Sequence, residues 1–511
     1  MIKNYQLVIP MTGVGQRFVN AGFRDLKPLI ETGQGSMISN VLKMFPTNDS
    51  PICIINQSET QKEALKNAIT RIRPKATILE IPPHKKGPSF AVWSVKNFLN
   101  LETPTIISYC DFSGIWSEQN FINELLRSDG LIQTYTGFHP HMLRNTKFAY
   151  VQKDGDGNVI NIQEKKPFTD NPLNEEASSG VYGFRTGKIM LDAIEAQLSE
   201  NLSLNGEFYT SLTYIPILKG QMKVRTFKMD KFFQWGTPED LNDFRFWKTI
   251  SQFKIEENQE KDLSASLILA AGRGSRISNL SKVPKPCIPV FQNKLWHFAA
   301  DLSKGCTEKI VFSNLHLQRD FEADNPFNFK IVASNYQTAS QAESALEGLK
   351  RLSDPATKVH VLSCDNIVFG TKITDVDTLL ESADLVIWVA SDYAISRKYP
   401  QHYSWVELDS EGCIKRLMVK EASPSETAQV VIGNFSFRSV ELAKVLIEET
   451  IQRQFSSKSE VYLDWVIQYA IERHLSIVAI EVDQFWAIGT PDEYATAKYW
   501  EEVFDTSRVR A

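Results

Sequence analysis

The chain has few of the residues and patterns that several large function classes require. Six cysteines stand in 511 residues, at Cys53, Cys110, Cys287, Cys306, Cys364 and Cys413, and none forms a CxxC pair. A zinc ribbon, a thioredoxin-type redox site and a disulfide scaffold are thereby excluded. Reduced, mostly buried thiols of a cytoplasmic protein are expected. Basic residues do not exceed acidic ones: 56 Lys plus Arg against 61 Asp plus Glu give a formal net charge of -5. Nucleic-acid binding therefore has no electrostatic footprint, and an anionic ligand has to be met by local positive charge. Apolar runs such as 385–390 fall far short of the ~18 residues of a membrane span. The first residues lead straight into a strand-like run, without the apolar stretch of a secretion signal. No membrane partner is expected.

What is present is an ordinary globular composition, 42% hydrophobic and 23% charged, at a length that allows two to four domains at ~150 residues each. The chain also contains itself twice. Residues 7–18 read LVIPMTGVGQRF and residues 267–277 read LILAAGRGSRI. Lys27-Pro28 follows the first and Lys285-Pro286 the second. Asp111 and Asp365 each end an apolar run, and Gly180-Val181-Tyr182-Gly183-Phe184-Arg185 answers Gly433-Asn434-Phe435-Ser436-Phe437-Arg438. Glu207-Phe208-Tyr209 answers Glu460-Val461-Tyr462, and Gly236-Thr237-Pro238-Glu239 answers Gly489-Thr490-Pro491-Asp492. Lys to Asp spans 84 and 80 residues, Asp to Gly 69 and 68, Gly to Glu 27 in both, and Glu to the Gly-Thr-Pro glycine 29 in both. Two homologous domains follow, residues 1–252 and 264–511, joined by a polar connector at 253–263 of helix-compatible composition.

Within each half, short apolar strands alternate with helical periodicity. Strands are expected near 7–9, 52–55, 78–81 and 105–109, and again near 266–269, 309–312, 329–332 and 358–363. Helices are expected at 59–72 and 89–99. This alternation predicts an α/β fold: two Rossmann-like domains, each a mainly parallel, mixed sheet flanked by helices. Ligands of such sheets bind at the carboxyl ends of the strands, where both glycine loops and both aspartates fall.

The loops carry Gly13 and Gly15, then Gly272 and Gly274. Backbone N–H groups of such a loop can face a phosphate chain, although the same glycines also suit a plain tight turn. Neither loop is a dinucleotide fingerprint, because Phe18 and Ile277 stand where the third glycine belongs. Neither is a Walker A loop, because no Gly-Lys-Ser/Thr follows. Arg17 and Lys27, with Arg276 and Lys285, could neutralise a triphosphate. A carboxylate at Asp111 or Asp365 could hold Mg²⁺ on phosphate oxygens or cap a following helix. Neither Asp111-Phe112-Ser113 nor Asp365-Asn366-Ile367 is an Asp-x-Asp pair, which speaks against a glycosyltransferase of related fold. His139-Pro140-His141 reads as a surface turn rather than a metal pair. The aromatic stretches 244–247 and 494–500 read as amphipathic helices packed on their own domains.

Together these residues resemble the sugar-phosphate nucleotidylyltransferases, the glucose-1-phosphate thymidylyltransferase-like enzymes, over nearly the whole of each half. LILAAGRGSRI with VPKPCIPV is close to the signature loop of that family, and IPMTGVGQRF with LKPLI is a looser variant. The resemblance implies transfer of a nucleotide from a nucleoside triphosphate to a sugar 1-phosphate or similar phosphomonoester, with Mg²⁺ as cofactor and pyrophosphate as leaving group. A surface (capsular) polysaccharide pathway would take the product, and a homo-oligomer is compatible with the family. Lys165, in Glu164-Lys165-Lys166-Pro167, and Lys420, in Val419-Lys420-Glu421, would contact the sugar phosphate. Gly87 would lie on the nucleotide side, and Asp111 and Asp365 would bind metal. The family's second metal Asp is absent, with Gln234 and Ala487 in its place; Asp230 and Asp483 are candidate substitutes. One half serving as a non-catalytic binding or dimerisation module is therefore an alternative. The differing segments 82–88 and 336–340 imply that the halves prefer different ligands.

Overall fold

The computed structural model describes residues 4–255, 262–272, 274–391, 393–410, 412–421, 425–454 and 461–504. The chain divides into two compact units, Met1–Thr249 and Ile250–Ala511. The expected helical connector lies mostly outside the described residues. Its last residues belong to the strand Asp262–Ala270.

Each unit is built on a nine-stranded sheet. In the first, Gln6–Met11 runs parallel to both Ile52–Asn56 and Thr105–Ser108, and Thr77–Ile81 extends the parallel set. Glu176–Phe184 then pairs antiparallel with Thr105–Ser108 and with Gly130–Tyr135, and Val224–Lys228 closes the series parallel to Gly130–Tyr135. The second unit repeats this order and these directions. Asp262–Ala270 lies between Cys306–Asn314 and Val359–Ser363, with Lys330–Ser334 outside; Gln429–Phe437, Leu385–Ala390 and Ile477–Glu481 complete the path. The parallel junctions are the βαβ units read from the sequence. The antiparallel insertion of the long strand that contains Gly180 or Gly433 makes the sheet mixed.

Both faces of each central strand are buried, as a sheet between helical layers requires. Along Gln6–Met11, Leu7, Ile9 and Met11 join one apolar cluster while Val8 joins another. Along Asp262–Ala270, Leu267 and Leu269 face one way, and Ile268 and Ala270 the other. Side chains alternate across a strand, so unbroken apolar runs are what such strands need. Each buried aliphatic contributes roughly 1.5–3 kcal/mol. Phe244, Trp247 and Trp500 are buried in helices of their own units. Burial pushes the Cys53 and Cys110 thiols up to about 12, which leaves both in the thiol form.

The His139–His141 segment is not a surface turn. His139 and His141 are 7% and 6% exposed; His141 Nε2 lies 3.0 Å from the Tyr135 hydroxyl, and the rings pack on Tyr135, Phe148 and Phe232. Burial lowers His139 to about 4 and His141 well below its usual value. Two hydrophilic letters beside a proline concealed an aromatic cluster that supports the strand leading to Gln234.

A pH dependence follows. The folded state holds these rings neutral, whereas the unfolded chain protonates them near the ordinary 6.5. The stability they leave intact is fully present above that pH and is lost as pH falls towards about 4, by on the order of 2 kcal/mol for one ring. Thermal unfolding of the full chain between about pH 7 and pH 4.5 is expected to show a shallower decline for His139→Phe than for the parent; equal slopes would refute the assignment.

Candidate functional site

Each glycine loop is fitted to its lysine. Gly15 and Gly274 have left-handed backbones, φ 67° and 60°. A Cβ at either would come within 2.9 Å of Lys27 Cβ or 3.0 Å of Lys285 Cβ. The stem of each lysine therefore occupies the space that only glycine leaves. The Lys-Pro dipeptides open short 3-10 turns, Lys27–Leu29 and Lys285–Cys287, which set the direction of the lysine. Lys27 Nζ reaches Asp111 Oδ2 at 2.8 Å and the Gly236 carbonyl at 3.4 Å, and lies over the Phe18 ring at 5.3 Å. Lys285 Nζ pairs in the same way with Asp365 Oδ2. The two loops, the two Lys-Pro turns and the two strand-end aspartates are thus brought together, once in each unit.

Strands, not helices, follow the aspartates, so neither carboxylate is a helix cap. Phe112–Ile115 pairs antiparallel with Lys231–Gln234, placing Gln234 opposite Phe112. Asn366–Phe369 pairs with Gln484–Ala487, placing Ala487 opposite Asn366. These ribbons carry the residues that stand for the missing second aspartate back to the first. Asp230 and Asp483 sit at the far ends of the ribbons, where their N–H groups bond to Ile115 O and Thr371 Oγ1. They are not brought to the site.

The units differ in how they treat the aspartate. Among the described residues, Asp111 Oδ1 and the Gln234 amide accept no hydrogen bond. A point one carbon beyond Gly236 Cα lies 2.6 Å from Gln234 Nε2 and 3.7 Å from Asp111 Oδ2, so the two groups share one space. The Gln234 atom nearest this space is the amide nitrogen; turning the amide over would offer its oxygen beside Asp111, a donor pair that suits a hard divalent cation with water and phosphate as further ligands. In the second unit Ser363 Oγ donates to Asp365 Oδ1 while Lys285 holds Oδ2, and Ala487 has no donor. Burial works against the Asp365 charge, but the Lys285 ammonium outweighs it and holds the carboxyl below its ordinary range. Those residues do not fit a divalent cation. No group of three or more His, Cys, Asp or Glu suited to a metal occurs among the described residues of either unit.

The remaining lysines occupy matching places. Lys165 and Lys420 both take positive φ, 58° and 57°, a conformation uncommon for a side chain of this kind. Lys165 Nζ bonds to the Tyr209 hydroxyl and lies 4.3 Å from the ring centroid. Lys420 Nζ lies 5.0 Å from the Tyr462 ring centroid, with the His402 carbonyl at 3.1 Å. The reordered sequence around Lys420 therefore preserves the position. Tyr209 and Tyr462 were legible only as repeat landmarks; their contact with the lysines was not. Glu460, the third landmark there, lies outside the described residues. Thr210 N–H donates to Tyr109 Oη, which ties the Lys165 segment to the strand end before Asp111. Gly87, φ 84°, precedes the helix Pro88–Ser94, and a Cβ there would come within 2.8 Å of the Phe208 backbone. Arg17 and Arg276 are exposed and form no ion pair among the described residues.

Residues 7–245 match the family described as Nucleotidyl transferase, and residues 266–406 match the MobA-like NTP transferase domain. No curated protein matches the chain. Similar solved structures include a nucleoside-diphosphate-sugar pyrophosphorylase from Vibrio cholerae RC9, 17% identical, covering 47% of this chain and 99% of its own, TM-score 0.39. The UTP-bound UGPase from Acinetobacter baumannii is 16% identical, covering 48% and 94%, TM-score 0.38. The inositol-1-phosphate CTP transferase from T. maritima is 12% identical, covering 46% and 90%, TM-score 0.36.

The glycines give a test that separates folding from binding. A Cβ at Gly13 meets nothing within 4 Å, so Gly13→Ala is expected to leave the unfolding temperature unchanged while weakening nucleotide binding, if phosphates approach that backbone. Gly15→Ala forces an unfavourable left-handed alanine, about 1–2 kcal/mol, against Lys27, and is expected to lower both. Calorimetric binding with parallel thermal unfolding distinguishes the two; unchanged affinity in Gly13→Ala would make the loop a plain turn.

Proposed function

The chain is an enzyme of the nucleotidyltransferase type with two such domains in tandem, and from that premise we propose that it joins a nucleoside triphosphate to a sugar 1-phosphate or similar phosphomonoester, the first unit carrying the reaction. The observation that supports this most directly is the convergence of Gly13, Gly15, Lys27, Asp111 and Gln234 at the carboxyl ends of parallel strands. A phosphate oxygen of the acceptor attacks the α-phosphorus of the triphosphate. The new P–O bond forms as the α–β anhydride bond breaks, and pyrophosphate leaves with the bonding electrons. The nucleophile is already anionic near neutral pH, so no Ser, His or Cys nucleophile is required; positioning and charge neutralisation carry the rate.

In this reading the loop N–H groups and Arg17 hold the triphosphate, Lys27 turns from Asp111 towards phosphate oxygens, and Gly87, pressed against the Phe208 backbone, sets the start of the helix Pro88–Ser94 on the nucleotide side. Lys165, oriented by Tyr209, holds the acceptor phosphate. A divalent cation, taken here as Mg²⁺, would be held by Asp111 and Gln234, and supplies charge neutralisation on phosphate oxygens when bound. His84 Nδ1 accepts from Lys86 N–H at 3.1 Å in the first unit, whereas Gln337 Nε2 donates to the Ala271 carbonyl at 3.4 Å in the second. These different contacts support different ligand preferences. Product supply to a surface polysaccharide, in the cytoplasm where nucleoside triphosphates are made, belongs to the same proposal.

Pyrophosphate release by the full chain, with each of the common triphosphates and sugar 1-phosphates, tests the reading. Asp111→Ala is expected to abolish Mg²⁺-dependent release and, by leaving Lys27 without its counter-charge, to lower the unfolding temperature of a chain that still folds. Lys27→Ala is expected to weaken triphosphate binding about tenfold or more, the loss of a charge-assisted contact of roughly 1.5–3 kcal/mol. Full Mg²⁺-dependent turnover in Asp111→Ala would remove the first unit from the chemistry.

A further inference from the structure

The second unit retains the groups that attract an anion and lacks free groups to hold a cation. Gly272 is open: a Cβ there meets nothing within 4 Å. Arg276 is exposed, and Lys285 and Lys420 hold the same places as Lys27 and Lys165. On the cation side, Asp365 gives one oxygen to Lys285 and the other to Ser363. A second carboxylate close by is that of Glu493, 1% exposed. Its Oε1 accepts from the Tyr393 and Tyr403 hydroxyls, and its Oε2 from Gly489 N–H at 2.7 Å and Thr490 N–H at 2.8 Å. A point one carbon beyond Gly489 Cα lies 3.4 Å from Glu493 Oε2, 3.5 Å from Lys285 Nζ and 3.8 Å from Asp365 Oδ2. The lysine ammonium thus shares one small space with both carboxylates.

The first unit shows what has changed. There Tyr109 stands where the second unit has Ser363, and its hydroxyl accepts from Thr210 N–H, so Asp111 Oδ1 stays open. Gln234 stands where the second unit has Ala487. A divalent cation takes several oxygen ligands; the second unit could supply them only by breaking its own hydrogen bonds and leaving a largely buried ammonium unpaired, which is costly.

Resting on the reading that these are nucleotide sites, we propose that the second unit binds a nucleoside di- or triphosphate without a divalent cation, the Lys285 ammonium supplying the positive charge. Asp365 there is the counter-charge that occupies Lys285 in the empty site, not a metal ligand. The two roles predict opposite outcomes when Asp365 is removed. Loss of a metal ligand weakens binding, whereas loss of the lysine's counter-charge frees the ammonium for phosphate.

The experiment is equilibrium binding of ATP, CTP, GTP, UTP and dTTP, and of the matching diphosphates, to the full chain, with Mg²⁺ and with EDTA. At least one of them is expected to bind in EDTA at a site that Lys285→Ala weakens about tenfold and that Asp365→Ala preserves or tightens. Arg276→Ala, at an exposed position outside the core, is expected to weaken the same site if Lys285→Ala fails to fold. Loss of all binding in EDTA, or loss of the EDTA-resistant site in a folded Asp365→Ala, overturns the proposal. Mg²⁺-dependent pyrophosphate release sensitive to Asp111→Ala reports separately on the first unit, so failure of one reading is told apart from failure of the other.

Discussion

The lysine–aspartate ion pair at the carboxyl end of the central strands is the constraint on which each unit depends. One partner leaves a short turn after the glycine loop, and the other ends a strand that arrives about eighty residues later. Their meeting fixes the loop, the turn, the strand end and the antiparallel ribbon against one another. In the first unit the side chains of Lys27 and Asp111 are 17% and 29% exposed, and in the second those of Lys285 and Asp365 are 19% and 26% exposed. Charges so far from bulk water require partners. An empty site therefore keeps its cation and its anion together. A polyphosphate ligand has to compete with the aspartate for the lysine, which couples phosphate binding to release of the carboxylate.

Much of this was legible in the sequence because it depends on short patterns with strict physical causes. Apolar runs flanked by glycine loops gave the parallel strands, since burial on both faces leaves no room for polar alternation. The near-equal spacings gave the duplication, and with it the correspondence of Lys27 with Lys285 and Asp111 with Asp365. The lysine–aspartate contact itself was not legible: both residues were assigned to phosphate and metal separately, and nothing in the letters says that they meet. The aromatic support under Lys165 and Lys420 was hidden for the same reason, because Tyr209 and Tyr462 lie some forty residues away along the chain.

Other features were misread because composition is a poor guide to burial. His139 and His141 look hydrophilic and adjoin a proline, yet Tyr135, Phe148 and Phe232 enclose them. The candidate metal substitutes Asp230 and Asp483 have suitable chemistry at the wrong end of a two-stranded ribbon. Their sequence distance from the Gly-Thr-Pro motif is short, but an extended chain rises about 3.3 Å per residue, so a few positions carry a carboxylate well away from the site.

The duplication separates what folding demands from what chemistry demands. Gly15 and Gly274, with the lysines packed on them, are fixed by sterics; the strand-end aspartates are fixed by the lysines; the positive-φ lysines recur with their tyrosines. These agree between the halves even where the surrounding letters do not. At positions 109 and 363, and at 234 and 487, the halves part. Tyr109 directs its hydroxyl to a backbone N–H and leaves Asp111 an open oxygen, whereas Ser363 closes the equivalent oxygen of Asp365. Gln234 brings an amide oxygen to the ribbon position where Ala487 brings a methyl. Both differences act in one direction, removing oxygen donors from the second unit while leaving its positive groups in place. A frame held by its own ion pair can lose those donors without losing its fold, and that is how two domains with one architecture come to offer a ligand different charges.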